Sequence, residues 1–305
     1  MSVKEEYISF CETHDWVPLF HRPYWWDAVL DNWNVEKFEF EKYEAYLPYA
    51  SYKKWGFSFS RNPFLTPYSG LLFSETNYTP VVKQNLFEQA QQFLSQFGIS
   101  QYDSHPLLSQ EIESKRLKTT FLLDTQNEFD EIKKSFSSSL KRQLKKAEKC
   151  LTLVEDQNID TLYSIYTDSL QRQNSQEIVP FHLVESVFSL CKKQRIGKIL
   201  LAQDEAGNTH AAIGYVMDKN CGYYLLGGSR KEFLGSGAMG FLLQYCIQFS
   251  IAQGKSFFDF EGSEVEGVAR FFSGFGGTKT KYPVLSAPTD PKLNALLKLK
   301  GLLRK

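Results

Sequence analysis

In FFDFEG, two carboxylates, Asp259 and Glu261, stand two residues apart with Gly262 immediately after them. Residues i and i+2 of a strand share a face, so both acids are expected on one side of a strand, Glu261 at the end where a sheet opens to a ligand. A carboxylate so placed takes a proton from an amine, which makes Glu261 the first candidate for a general base and Asp259 the second. Glu264 and Glu266 follow in the loop or first helical turn, where acids also favour the positive end of a helix.

Upstream, GSGAMG sets Gly235, Gly237 and Gly240 at the spacing of a dinucleotide-binding turn, and Asp259 follows at the distance of a ribose-binding acid. The dehydrogenase reading fails on context. The strand YYLLGG stops at Gly227, SRKEFL separates it from the glycines, and too little chain follows for a six-stranded parallel sheet. Two readings stay open. Glycines between a strand and a helix bring backbone N–H groups and the positive helix end toward a pyrophosphate, such as that of coenzyme A. Alternatively, Gly235 and Gly237 only permit a turn, and Gly240 lets the helix lie close to the sheet.

The elements that hold these groups follow from periodicity. A helix is expected over residues 24–33, paired strands over KFEFEKYEAYLPYASYKKWGFSFS, and a helix in TPVVKQNLFEQAQQFLSQFG stopped by Gly98. Strands follow at ISQYD and TTFLLD. In SSSLKRQLKKAEKCLTLVED, Leu140, Leu144, Ala147 and Leu151 form one stripe while Lys141, Arg142, Lys145, Lys146 and Lys149 cover the rest, a basic amphipathic helix. Beyond it the expected order is β-α-α-β-β-β-α-β-α-β, ending in a strand near TKYPVL.

Composition sets limits. The chain has 305 residues, 42% of them apolar, enough for one large domain or two ordinary ones. Lys+Arg and Asp+Glu are equal at 35, so no global field draws it to nucleic acid or an anionic bilayer, and any basic site is local. Five scattered cysteines lack CxxC or zinc spacing and are expected to be reduced and mostly buried, with no metal site. No apolar run reaches membrane-spanning length, and a cytoplasmic location is expected. There is no GxSxG elbow, and none of the five histidines has the context of a triad.

The order of elements around the glycine turn resembles the GNAT acyltransferase superfamily. More specifically, FLLDTQNEFDEIKKSFSSSLKRQLKKAEKCLTLVED and GKSFFDFEGSEVEGVARFFSGFGG, with PLFHRPYWWDAVL and the LTPYSG loop, resemble the Fem-type aminoacyltransferases and FemAB-like proteins. The resemblance implies an α/β (α+β) fold of two tandem GNAT-like domains, each a mixed, mostly antiparallel sheet flanked by helices. The boundaries drawn on it are 1–135, 136–290 and a basic tail, 291–305.

It also implies transfer of an acyl or aminoacyl group from acyl-CoA or aminoacyl-tRNA to an amine of a small or cell-envelope precursor, with no protein nucleophile and no permanently bound cofactor. Gly228, Ser229, Arg230, Gly235, Ser236, Gly237 and Ala238 are then the donor-binding candidates. Glu261, Asp259 and Tyr282 are the catalytic ones, Tyr282 as proton donor to a leaving thiolate. Arg270, Lys279 and Tyr68 are the substrate-binding ones. Two positions depart from the family pattern: Glu232 stands where an Arg or Gln precedes the loop glycines, and Ser273 where a lysine precedes the GFG turn. A catalytically degenerate binding or scaffold protein is therefore the alternative. The helix at 137–149 presents a solvated face, a contact for transfer RNA or a membrane contact, and the tail either docks on the body or lies on a bilayer.

Overall fold

The computed structural model describes residues 1–156, 158–173, 177–262 and 266–299. Glu264, one of the sequence candidates, and residues 300–305 of the tail lie outside them. The chain divides into two compact units, Met1–Lys118 with Lys281–Lys305, and Thr119–Thr280. Residues 119–135 thus go with the second unit and the chain returns to the first at 281, which differs from the sequence division at 135/136 and at 290/291.

The first unit begins with α1 (Val3–Thr13), started by a capping box between Ser2 and Glu5. The helix expected at 24–33 is the shorter α2 (Pro23–Val29), with proline at its first turn. Then come β1 (Asn34–Phe40), β2 (Tyr43–Tyr49), β3 (Tyr52–Lys54), β4 (Phe57–Arg61), β5 (Leu72–Phe73), α3 (Pro80–Leu94) and β6 (Ile99–Asp103). β1, β2 and β5 form one antiparallel sheet; β3 pairs with β4 antiparallel and β4 with β6 parallel. The core between α3, α1 and the first sheet is aromatic, with Tyr7, Trp26, Tyr46, Phe73 and Phe87 buried.

The second unit carries β7 (Leu117–Asp124), α4 (Phe129–Lys134), α5 (Ser138–Cys150), β8 (Thr152–Asp156), α6 (Ile159–Arg172), α7 (Phe181–Gln194), β9 (Gly197–Gln203), β10 (Thr209–Met217), β11 (Cys221–Ser229), α8 (Ala238–Ala252), β12 (Phe257–Asp259) and α9 (Glu266–Ser273). The order of elements matches the expected one. The sheet runs β7-β12-β11-β10-β9-β8, antiparallel except for the β11–β12 pair. In α5, Leu140, Leu144 and Ala147 are buried, and the helix packs beside α8. Apolar spacing makes α5 dock by one stripe and leaves its Arg142, Lys145 and Lys149 in solvent.

β13 (Thr278–Leu285) then returns to the first unit, where its Val284 and Leu285 pair with β6, and α10 (Pro291–Leu299) follows. Leu293 and Leu297 are buried against Phe59, so the described part of the tail docks on its own unit and its apolar stripe is not free for a bilayer. That docking corrects the role given to Gly98. The helix α3 stops at Leu94, and Gly98 is small because a Cβ there would lie 3.0 Å from a Leu293 methyl and 3.2 Å from Phe57 Cβ.

Candidate functional site

The parallel pair at the centre of the second sheet is short. β12 pairs only with Cys221–Tyr223 of β11, while β11 runs six residues further with β10 on one side. The split has a visible cause. Beyond Asp259 the chain stays against β7, where the Phe260 N–H donates to the Phe121 carbonyl. A Cβ on Gly262 would sit 2.2 Å from the Thr119 carbonyl oxygen. On the other side, the register of β10 and β11 shifts so that Tyr215 opposes Tyr224 and Gly214 opposes Leu226, leaving Leu225 as a bulge. A bulge bends its strand away and is common beside binding sites. A gap therefore opens after Tyr223, lined by Tyr224 on one edge and by Phe260 and Glu261 on the other.

Sequence spacing put Asp259 and Glu261 on one strand face; the structure ends the strand at Asp259 instead. Glu261 has φ +57° and Gly262 φ +65°, two successive left-handed residues that extended backbone cannot contain. Asp259 is 1% exposed and holds this turn: its Oδ1 accepts from the Glu261 N–H at 2.7 Å and from the Thr120 hydroxyl. Glu261 Oε1 is buried with no hydrogen-bond partner among the described residues. Burial first, and the Asp259 carboxylate second, push the Glu261 pKa well above the ordinary carboxylate range. Both effects disfavour the anion, the form that a resting base needs. Tyr224, which is not among the sequence candidates, is the nearby polar group across the gap. Its pKa is raised by burial and by Glu261, and its ring leans edge-on against Phe272.

The glycine turn resolves into parts. After β11 a short 3-10 helix, Lys231–Ser236, leads to Gly237, which has φ +79° and caps α8. Gly237 serves geometry: besides that φ, a Cβ would lie 2.9 Å from the Gln143 carbonyl oxygen of α5. Gly240 lets α8 approach Leu140 of α5, and Gly228 lets β11 approach Ser169 of α6. Gly235 alone of the three faces open space, its carbonyl accepting from Lys146 Nζ at 3.3 Å. Ser236 Oγ accepts from the Ala238 N–H, leaving the N–H groups of Met239 and Gly240 ahead of the first intrahelical acceptor. The 3-10 helix is held by Phe233, which stacks on His210 at 3.7 Å, with His210 on Asp204 at 3.1 Å. At the end of β11, Ser229 O accepts from Arg172, and Arg230 faces Asp168 at 3.5 Å.

Other sequence candidates are not gathered here. Tyr68 and Tyr282 lie in the first unit, buried, with ring centroids 5.3 Å apart in an edge contact. Tyr68 is 1% exposed because Asn62 pins its loop, donating to the Thr66 and Pro67 carbonyls and accepting from the Ser69 hydroxyl; it forms core rather than a cleft wall. Arg270 is exposed and paired with Glu266 at 2.7 Å, and Lys279 is exposed. No group of three or more metal-type ligands exists among the described residues. Cys11 and Cys191 are pushed up to about 12 by burial, unlike a reactive thiol, and His105 is driven down to about 4 for the same reason. A cavity of about 490 Å³ opens at the other end of β10, lined by Phe188, Lys192, Lys198, Met217 and Phe249, and contains none of the candidates.

The fold that this sheet, bulge and helix order define is GNAT- and Fem-like. The crystal structure of FemX superposes with TM-score 0.66 at 12% identity, over 98% of this chain and 99% of that one. The C-terminal domain of a putative lysylphosphatidylglycerol synthetase from Agrobacterium fabrum gives 0.53 at 13% identity, over 98% and 94%. A conserved protein of unknown function from Bacteroides thetaiotaomicron VPI-5482 gives 0.52 at 9%, over 92% and 95%. Residues 134–272 match the family model described as Acetyltransferase (GNAT) domain, a span that holds Tyr224, the glycine turn, Asp259 and Glu261. No curated protein sequence matches the chain.

Proposed function

We propose that this chain is an N-acyltransferase that moves an acyl or aminoacyl group from an activated donor to an amine, with the donor seated where β11 and β12 part. The observation that carries this reading is the gap itself. From Tyr224 to Ser229 one edge of β11 has no strand beside it among the described residues, so an extended ligand can pair with it as a strand would, its reacting carbonyl beside Tyr224 and Glu261. At the far end of β11, the first turn of α8 offers N–H groups and a positive dipole to a phosphate. Such an arrangement suits direct transfer, which needs positioning and polarisation rather than a protein nucleophile.

Acyl-CoA is the donor that uses both ends of this groove, as a co-substrate rather than a resident cofactor. Calorimetry with acetyl-CoA tests it: binding is expected, and it weakens when Gly235 is replaced by a bulky residue. No binding of any CoA ester removes that donor and moves aminoacyl-tRNA ahead. The transfer-RNA form requires salt-sensitive RNA binding that falls when Lys141, Arg142, Lys145 and Lys146 are neutralised. The acceptor in this reading is an amine of a small or cell-envelope precursor. Donors of either kind place the protein in the cytoplasm, and no described helix is long and apolar enough to cross a membrane. The pairing of Arg230 with Asp168, together with Glu232 in the place of an anion-binding residue, favours the second reading, a degenerate binding protein. Acetyl-CoA binding without turnover over a panel of amines is the result that selects it.

A further inference from the structure

Glu261 is a carboxyl group placed at a gap, with one oxygen buried and unpartnered among the described residues and its backbone fixed in a sparsely populated conformation. A buried polar atom without a partner and a strained backbone at the same residue are each costly, and they persist together where a ligand completes the site. We infer that Glu261 acts as a neutral hydrogen-bond donor to the carbonyl oxygen of a bound thioester, and that Asp259 is the positioning residue that aims it. The role rests on the acyl-CoA form of the proposed function.

The chemistry is balanced without any further reactant. The amine nitrogen forms a bond to the carbonyl carbon, and the carbonyl π pair moves onto oxygen, where the Glu261 hydroxyl stabilises it without giving up its proton. Collapse restores the carbonyl and breaks the carbon–sulfur bond. The proton lost by the amine ends on the departing sulfur. A donor aimed at the oxygen where charge develops acts chiefly in the transition state.

The surroundings keep the acid neutral. Asp259 faces it from its own segment and Tyr224 from β11; behind Tyr224 lie Tyr166 of α6 and Cys246 of α8. Burial raises the pKa of both tyrosines and of the cysteine, so among the described residues Asp259 is the neighbour whose charge bears on Glu261, and it disfavours the anion. Asp259 itself takes the Glu261 N–H and the Thr120 hydroxyl, which fixes the direction in which the side chain leaves the backbone.

The test uses the purified full chain. An infrared band of a protonated carboxyl is expected at pH 7 in the wild type and is absent in Glu261→Gln. In Asp259→Asn, removal of the negative neighbour moves the titration midpoint of that band down, a response that a purely structural role for Asp259 does not produce. With carbonyl-labelled acetyl-CoA, the carbonyl stretch is expected to fall on binding to the wild type and to Glu261→Gln, whose amide N–H still donates, but not on binding to Glu261→Ala. Transfer is expected to drop about 10²–10³-fold in Glu261→Ala and to stay within roughly tenfold in Glu261→Gln, the size of one oxyanion donor. Absence of the protonated band at pH 7, or an unchanged carbonyl stretch in Glu261→Ala, overturns this role and leaves the proposed function standing. Failure of the wild type to bind acetyl-CoA at all overturns the thioester reading and this role with it.

Discussion

Replacing Gly262 by alanine probes the feature that opens the gap. Gly262 sits at φ +65°, and an added Cβ would meet the Thr119 carbonyl oxygen at 2.2 Å and Thr120 Cα at 3.0 Å, all of it backbone that no side-chain rotation relieves. Holding alanine in the left-handed region costs about 1–2 kcal/mol. Forcing a methyl into packed surroundings adds about 1–3 kcal/mol. The loss is therefore about 2–5 kcal/mol, slightly reduced because alanine restricts the unfolded chain. Gly207 is the matched control: its φ is +82° and a Cβ there meets nothing within 4 Å, so Gly207→Ala carries only the conformational cost. The difference between the two variants, about 1–3 kcal/mol, measures how hard the segment after β12 is pressed onto β7. Urea unfolding at unchanged m-value gives both numbers, and by melting the Gly262→Ala protein loses roughly 4–15 °C. If Gly262→Ala is no more destabilising than Gly207→Ala, the segment is not clamped on β7, and the account of why β11 and β12 part is wrong.

Glu261 also sets a pH dependence. Its folded pKa is raised above the unfolded value, so its contribution to stability is complete below the ordinary carboxylate pKa and is lost as pH rises toward the folded value. Glu261→Gln removes that limb, and the wild type is expected to lose up to about 1.4 kcal/mol per pH unit relative to the variant; parallel unfolding curves from pH 5 to 8 would count against a buried neutral acid. Leu293 is fully buried against Phe59, so Leu293→Ala should cost about 2–5 kcal/mol, while Lys292→Ala beside it stays within about 0.5 kcal/mol. An equal response to both substitutions in a urea titration is incompatible with a docked tail. Gly237→Ala, strained and pressed on Gln143, should lower the melting temperature, whereas Gly235→Ala leaves it unchanged; a destabilised Gly235→Ala removes that position as a clean probe of donor binding.

Much of the second unit was legible because its signals are local. The apolar stripe of α5 and the glycine before α8 each fix one element through short-range spacing. The helix α1 was not read, although its Ser-x-x-Glu capping box at Ser2 and Glu5 is an equally local signature. The candidate site was legible only in part. Period-two reasoning found Asp259 and Glu261 but placed them on one strand face, because nothing in FFDFEG announces a left-handed turn except the glycine that follows. Tyr224 was passed over because its neighbours Tyr223 and Leu226 do pack in the sheet, and a bulge at Leu225 is a property of the β10–β11 register rather than of either strand alone. Tyr68, a loop residue read as a substrate contact, and Tyr282, read as a proton donor, show the reverse: their phenols suggested chemistry, yet their rings pack on each other in the first unit.

The order of helices and strands, the docking stripe of each helix, the glycine-capped start of α8 and the choice of a carboxylate near the end of β12 were written in the chain itself, since each depends on residues within a few positions of one another. Tertiary structure alone decided which strands are neighbours, where a parallel pair stops, and which way an acid's pKa moves. Those depend on a carbonyl of Thr119 lying against Gly262 and on Asp259 lying against Glu261, contacts between segments separated by more than a hundred residues in one case and set by an unusual backbone turn in the other.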